Sequence, residues 1–248
     1  MGVDEPRQLP GLSILRQRCT NASHSHRHSL TKTDMVRESD RARMYWDKLS
    51  VVDSDHQQWM LLAIEEGELA RGTTGDNPWV GCVIVSAEGA LVGRGHTLGP
   101  GEDHAEIAAA RDAEAHGYSV AGATLYSTLE PCSFHGRTPA CSRSIAARGI
   151  TRVVIGIRDP HPRVDGAGIA ILRAAGVEVL EGFCEAEIRR QLGPWIIEHH
   201  PHEPRQRAEA LSESARLDQG RLDPKQFDRL ADIYGVDRAR IQALFEPT

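Results

Sequence analysis

No stretch of this chain is long and apolar enough to cross a bilayer, which takes about 20 consecutive apolar residues. Positive charge is not in excess either: 29 Lys and Arg face 35 Asp and Glu, a net charge of −6. That balance gives no electrostatic reason to expect nucleic acid or an anionic membrane as partner. Cysteine is scarce, five residues in 248, so no disulfide framework is expected and a reducing, cytoplasmic compartment is. Cys19, Cys82 and Cys184 are read as plain thiols. Internal repeats and low-complexity tracts are missing. Near the N-terminus the apolar run Leu12 to Leu15 is cut short by Arg16, so no secretory signal is expected.

What remains is the composition of an ordinary globular protein, 40% hydrophobic and 26% charged, long enough for one core and a small appendage. Residues 1–52 are rich in Arg, Ser and Thr and poor in periodic apolar positions, which predicts an extension without a core of its own. His24, His26 and His28 in it are expected to be solvated. From about 53 the pattern becomes regular. Asp55 is a candidate cap for a helix to about Ala70, and Gly72 to Pro78 is a turn-rich loop. Strands are expected at Val80–Ser86 and Ala90–Gly95, joined at Glu88-Gly89 as a hairpin. Helix His104–His116, strand Ala123–Leu129, helix Pro139–Arg148 and strand Thr151–Ile157 follow. Helix Gly168–Ala175 then leads to strand Val177–Glu181. Alternation of this kind means a sheet with helices on its faces, and the last two strands, linked through a helix, should pair in parallel. A helix over Glu185–His199 is expected to break at Gly193-Pro194. Beyond Pro201 the chain is charged and helical, with helix starts at Asp223-Pro224 and Asp237 and an apolar set Leu230, Ile233, Ile241 and Leu244. The domains expected are 1–52, an extension; 53–200, the main domain; and 201–248, a helical appendage.

The chemistry sits in His104-Ala105-Glu106, Glu130-Pro131-Cys132 and Cys141. One His and two Cys can hold Zn2+ while leaving its fourth position open, as catalytic rather than structural zinc sites do. A closed site would need His135 or His96 as a fourth ligand. Each ligand is expected where a strand passes into a helix, and the helix N-terminus favours thiolate, the form that binds zinc. Glu106, two residues from the His, is placed to move protons without ligating. H-x-E followed by P-C-x-x-C is the signature of zinc nucleobase deaminases. Here eight residues, Ser133 to Ala140, separate the two thiols instead of two.

From about Trp59 to Phe183 these residues resemble the cytidine-deaminase-like superfamily, and within it the pyrimidine deaminase domain of riboflavin biosynthesis. The resemblance rests on Asn77-Pro78, Val80-Gly81, His104-Ala105-Glu106, Thr128-Leu129-Glu130-Pro131-Cys132-Ser133, His135-Gly136-Arg137-Thr138-Pro139, Cys141, and Asp159-Pro160 with Pro162, Val164, Gly166 and Gly168. The long insert with Gly-Arg-Thr-Pro is specific to that branch. The resemblance implies a three-layer α/β/α domain around a mixed five-stranded sheet, here with a helical C-terminal extension. It implies His104, Cys132 and Cys141 as zinc ligands and Glu106 as proton shuttle. Asn77, Ser133, His135, Arg137 and Thr138 would contact the substrate, with Arg137 suited to a phosphate. The activity implied is hydrolytic deamination of an aminated pyrimidine-type heterocycle, first of all the riboflavin-pathway diaminopyrimidine ribotide. Two alternatives stand: a related deaminase of another small aminated heterocycle in specialised metabolism, or an inactive zinc-binding partner subunit. A homo-oligomer is expected; a membrane or nucleic-acid partner is not.

Three departures bear on the substrate. Thr97 stands where the family has His, His161 interrupts its Asp-Pro-Asn-Pro, and Ala167 replaces a basic residue. Thr97 and Ala167 would remove cationic or strongly polar groups from positions expected to face a ribose phosphate. The roughly 45 residues after Pro204 are too few for the nucleotide-binding reductase that usually follows the deaminase in bacterial members.

Overall fold

A helix over 55–69 (α1) opens the part of the chain that the computed structural model describes, residues 55–134, 139–214 and 222–246. Asp55, expected as its cap, is already helical. The expected extension, with His24, His26 and His28, lies outside the described residues, as do His135, Arg137 and Thr138. Strands β1 (Gly81–Val85) and β2 (Leu91–His96) form the predicted hairpin. Its turn is closed by Gly89 N–H to Ser86 and Ser86 N–H to Ala90, with Gly89 at φ +85°, a conformation that costs glycine little. Then come α2 (Ala105–Ala115), β3 (Thr124–Leu129), α3 (Cys141–Ala147), β4 (Arg152–Ile157), α4 (Ala167–Ala174) and β5 (Glu178–Glu181). Helix α3 begins two residues later than the pattern predicted, leaving Pro139 exposed before it.

The sheet has the order β2-β1-β3-β4-β5. Strand β1 pairs antiparallel with β2 and β3, while β3, β4 and β5 run parallel, so the sheet is mixed as expected. Residue register assigns the helices to faces. Cys82 lies opposite Gly95 and so shares its face, and a Cβ on Gly95 would lie 2.4 Å from the Ala109 amide, so α2 packs closely there. Gly81 points to the other face, where a Cβ would lie 1.8 Å from the Ala63 carbonyl of α1. Helix α3 neighbours α2 and α4 neighbours α3, giving one layer, and α5 (Glu185–His199) joins α1 on the opposite one, where Gln191 Nε2 donates to the Ile64 carbonyl at 2.7 Å. The core between is built from Val, Ile, Leu and Ala, among them Ile84, Leu125, Val153, Ile155 and Ile188.

Helix α5 does not break. It runs through Gly193 and Pro194 to His199, against expectation. Pro194 lacks the N–H that would close a turn. The segment is held from outside: the Gln191 carbonyl accepts from Trp79 Nε1 and from Arg71, both at 3.2 Å, and Leu192, Trp195, Ile196 and Ile197 are buried. Helices α6 (His202–Ser214), α7 (Pro224–Tyr234) and α8 (Arg238–Ala243) follow. Asp223 caps α7 in a reciprocal box with Gln226, and Asp237 caps α8 through the Arg240 amide. Leu230 and Ile241 are fully buried where α7 and α8 pack together. Helix α7 also lies against α5, and the Tyr234 hydroxyl bonds the Glu203 carboxylate, which also pairs with Arg189 at 2.7 Å.

Candidate metal centre and active site

The motif residues converge at the ends of β2 and β3, beside the start of α2. His104 is the N-terminal cap residue of α2 and Glu106 lies in its first turn. Cys132 sits in the loop just past β3, and Cys141 is the first residue of α3. His104 Nδ1 is 3.7 Å from Cys132 Sγ and 3.4 Å from Cys141 Sγ. The three donor atoms lie within 4.8 Å of one another, and among the described residues they are the one cluster of metal-ligating type. A tetrahedral zinc with ordinary Zn–N and Zn–S bonds sets N and S about 3.6 Å apart. The observed pair of distances brackets that value, so these residues fit a metal of this kind. His96, the possible fourth ligand, is elsewhere: its Nδ1 is 3.7 Å from the Glu66 carboxylate of α1.

Local bonds hold this geometry. The Cys141 amide, a free N–H at the start of α3, donates to Cys132 Sγ at 3.2 Å. The Ser142 amide and hydroxyl both donate to the Cys132 carbonyl, at 3.2 and 3.0 Å. Glu130 is buried, 3% exposed, and its carboxylate accepts from the amides of Gly166, Gly168 and Ile169 at 2.9, 2.9 and 3.2 Å. It thereby ties the Cys132 loop to the start of α4. The sequence motif contains Glu130 but does not reveal this clamp, which depends on residues 36 to 39 positions away.

Charge follows from proximity. The Cys141 thiol donates to Cys132, and with the Cys141 amide and His104 it lowers the Cys132 pKa, while Cys141 is pushed up. His104 is raised by its bond to Cys132. Glu106, 4% exposed, is raised by burial and then by the Cys132 charge.

His104, Glu106 and Cys132 open into a cavity of about 350 Å³, while Cys141 lies buried behind them. Asn77 lines it, and the loop around Asn77 is fixed by Thr74 Oγ1 donating to the Asn77 carbonyl at 2.6 Å and Trp195 Nε1 donating to the Asp76 carbonyl at 2.9 Å. Thr97 also lines the cavity, buried, its Oγ1 accepting from the Val80 amide. Ala167 begins α4 and is not part of the lining. Ser133 donates its hydroxyl to the Arg163 carbonyl at 3.0 Å rather than lining the cavity. Another part of the lining was foreseen only in part, since Asp159 and His161 stand in the motif segment and Trp195, His199 and His200 do not. It consists of Asp159 and His161, after β4, and of Trp195, His199 and His200, from the end of α5. Burial raises Asp159 to about 7. Burial, with His161, His202 and His199 around it, lowers His200 to about 4. The run His199-His200-Pro201-His202 was the available signal for this wall, but only tertiary packing brings it to the site.

Comparison with known proteins agrees with this geometry. Residues 53–157 match the cytidine and deoxycytidylate deaminase zinc-binding region. The chain thus carries a cytidine-deaminase-like region. In particular, that region resembles the deaminase part of riboflavin-biosynthesis pyrimidine deaminase/reductases. The riboflavin biosynthesis protein RibD of Escherichia coli (strain K12) is 45% identical over 131 residues, 53% of this chain and 35% of that protein. The chloroplastic riboflavin biosynthesis protein PYRD of Arabidopsis thaliana is 43% identical over 146 residues, 59% of this chain and 33% of that one. A crystal structure of a diaminohydroxyphosphoribosylaminopyrimidine deaminase/5-amino-6-(5-phosphoribosylamino)uracil reductase from Thermotoga maritima is 38% identical with a TM-score of 0.55, covering 58% of this chain and 41% of that one. The chain spans about a third of the length of the curated relatives it matches. Among the described residues no helix is long and apolar enough to cross a membrane.

Proposed function

We propose that this chain is a zinc-dependent hydrolytic deaminase of an aminated pyrimidine-type heterocycle, in the first place the diaminopyrimidine ribotide of riboflavin biosynthesis. The observation that carries the reading is the convergence of His104, Cys132 and Cys141 at zinc-like spacing, with the buried Glu106 carboxylate in the cavity that His104 and Cys132 also line. His104, Cys132 and Cys141 would hold the ion, which when bound supplies Lewis acidity and a place for water. Glu106 takes a proton from the water that adds to the amine-bearing carbon. It gives that proton to the ring nitrogen, then takes the proton left on the added hydroxyl and gives it to the departing ammonia, so the C–N bond breaks as the carbonyl forms. Its raised pKa suits a group that must both accept and give at neutral pH. Asn77 offers the substrate a donor and an acceptor. Ser133, His135, Arg137 and Thr138 are the further substrate contacts of this reading, the last three lying outside the described residues. The substrate named for the Thermotoga relative is the first to test.

A second reading, deamination of another small aminated heterocycle, is favoured by one observation: no Lys or Arg is among the described lining residues, and Thr97 occupies a lining position. An inactive zinc-binding subunit is disfavoured because a scaffold needs no buried carboxylate beside its metal. The proposal includes a homo-oligomer in the cytoplasm, a catalytic domain over 53–200 and a helical appendage over 201–248. The test is ammonia release from the ribotide by protein stripped of metal and then reloaded with zinc. Release that appears only after reloading supports the proposal. Its absence with both the ribotide and a panel of other aminopyrimidines would reject it.

A further inference from the structure

The part of the cavity lined by Asp159, His161, Trp195, His199 and His200 has a composition that the deamination step does not use. His200 is 6% exposed, lines the cavity and makes no side-chain hydrogen bond among the described residues. Its ring lies edge-on to Trp195 at 4.8 Å and to His161 at 5.7 Å. Trp195 is held in place by its bond to Asp76 and stacks on His199 at 5.6 Å. Neighbouring rings are already committed. His161 Nδ1 accepts from the Arg163 amide at 3.1 Å, His199 Nδ1 donates to the Trp195 carbonyl at 3.1 Å, and His202 Nε2 donates to the Pro160 carbonyl at 3.0 Å. A polar ring on a cavity wall with no side-chain hydrogen bond inside the protein is left for a ligand or water in the cavity to complete.

We propose that His200 is a specificity-determining residue that hydrogen-bonds a hydroxyl of a sugar-like substituent on the aminated ring. A neutral imidazole has one donor and one acceptor, and so has a hydroxyl, so the two groups match. Burial and the surrounding imidazoles of His161, His199 and His202 keep His200 neutral near pH 7. A phosphate is the poorer match for this wall. Asp159 puts a carboxyl group on it, and the Arg163 guanidinium, not itself a lining group, is taken up in stacking over the ring of the lining residue Phe134 at 4.3 Å. Glu106 and His200 line the same cavity but belong to different elements, α2 and the end of α5, so a ring reacting beside Glu106 can carry a substituent to His200; in that respect the inference rests on the deaminase reading.

The test is calorimetric binding to the full-length, zinc-loaded protein of three probes. These are the ribotide named for the Thermotoga relative, the same compound without its phosphate, and the ring with a plain amino group in place of the ribosylamino group. Wild type should bind the phosphate-free riboside about tenfold more tightly than the sugar-free ring, the scale of one neutral hydrogen bond. His200→Ala should lose that tenfold for the riboside and leave the sugar-free ring unchanged. His200→Gln, which keeps a donor and an acceptor, should recover part of it, and thermal melting of both variants checks that they fold. Equal riboside binding by wild type and His200→Ala would overturn the assignment. So would equal loss of all three probes, absence of binding by any probe, or a ribotide preference over riboside larger than the sugar effect. Ammonia release is measured in parallel. The expected binding pattern without ammonia release would leave His200 in this role and reject the deaminase reading instead.

Discussion

Replacing Glu130 by alanine removes the acceptor of three backbone amides at once. Gly166, Gly168 and Ile169 would each lose a bond of 2.9 to 3.2 Å, in a place closed to solvent by Pro131, whose carbonyl would lie 2.0 Å from a Cβ on Gly168. A buried amide left without a partner costs about 1–3 kcal/mol. Three of them would cost roughly 3–9 kcal/mol, and relief of burying a carboxylate offsets part, since burial raises the Glu130 pKa. The expected net loss is at the low end, about 3 kcal/mol, or a fall in Tm of about 6–12 °C for a chain of this size. Glu130→Gln keeps one oxygen and should lose about half as much. Urea unfolding at pH 7.5, with zinc content measured on the same samples, reads both effects. If Glu130→Ala is within about 0.5 kcal/mol of wild type, Glu130 is not the clamp that joins the Cys132 loop to α4.

Three further outcomes follow from the same structure. Cys132→Ala should lose most of its zinc by metal analysis, because the remaining His104 and Cys141 cannot close a three-ligand site; full retention would refute the ligand assignment. Gly193→Ala would set a Cβ 1.7 Å from the Tyr234 carbonyl, a contact that only separation of α5 and α7 relieves, so a loss of about 2 kcal/mol or more is expected in thermal unfolding. An unchanged Tm would show that α7 does not pack on α5 in this way. Acidification should destabilise the protein through His200. Its folded pKa, about 4, lies below the unfolded value near 6.5, so its contribution is complete above about pH 6.5 and is lost as pH falls towards 4. His200→Gln should flatten that part of the stability profile between pH 7 and 5; a profile identical to wild type would show that His200 does not titrate as described.

The hairpin at Glu88-Gly89, the parallel β4–β5 pair and the caps at Asp223 and Asp237 were all legible in the sequence. Each depends on residues close together in the chain. The His104, Glu106, Cys132 and Cys141 group was legible for a different reason, since metal chemistry restricts residue type and spacing wherever they fall. Helix α5 was misread at Pro194 because local propensity favours a break there, whereas Trp79 and Arg71, more than a hundred residues earlier, supply bonds to the Gln191 carbonyl. The wall of Trp195, His199 and His200 was missed for the same kind of reason. It lies beyond the motif segment and reaches the cavity only through the packing of α5 on the sheet, and Asp159 and Glu130 carry no sign in the sequence of what they bond.

The most direct test of the central claim is Glu106→Gln, assayed for zinc content and for ammonia release from the aminopyrimidine that wild type turns over best. The account predicts one zinc per chain in both proteins, an unchanged fold, and turnover in the variant lower by about 10²–10⁴, the usual contribution of a general acid–base group. A Glu106→Gln protein that keeps its zinc and near-normal turnover would contradict it.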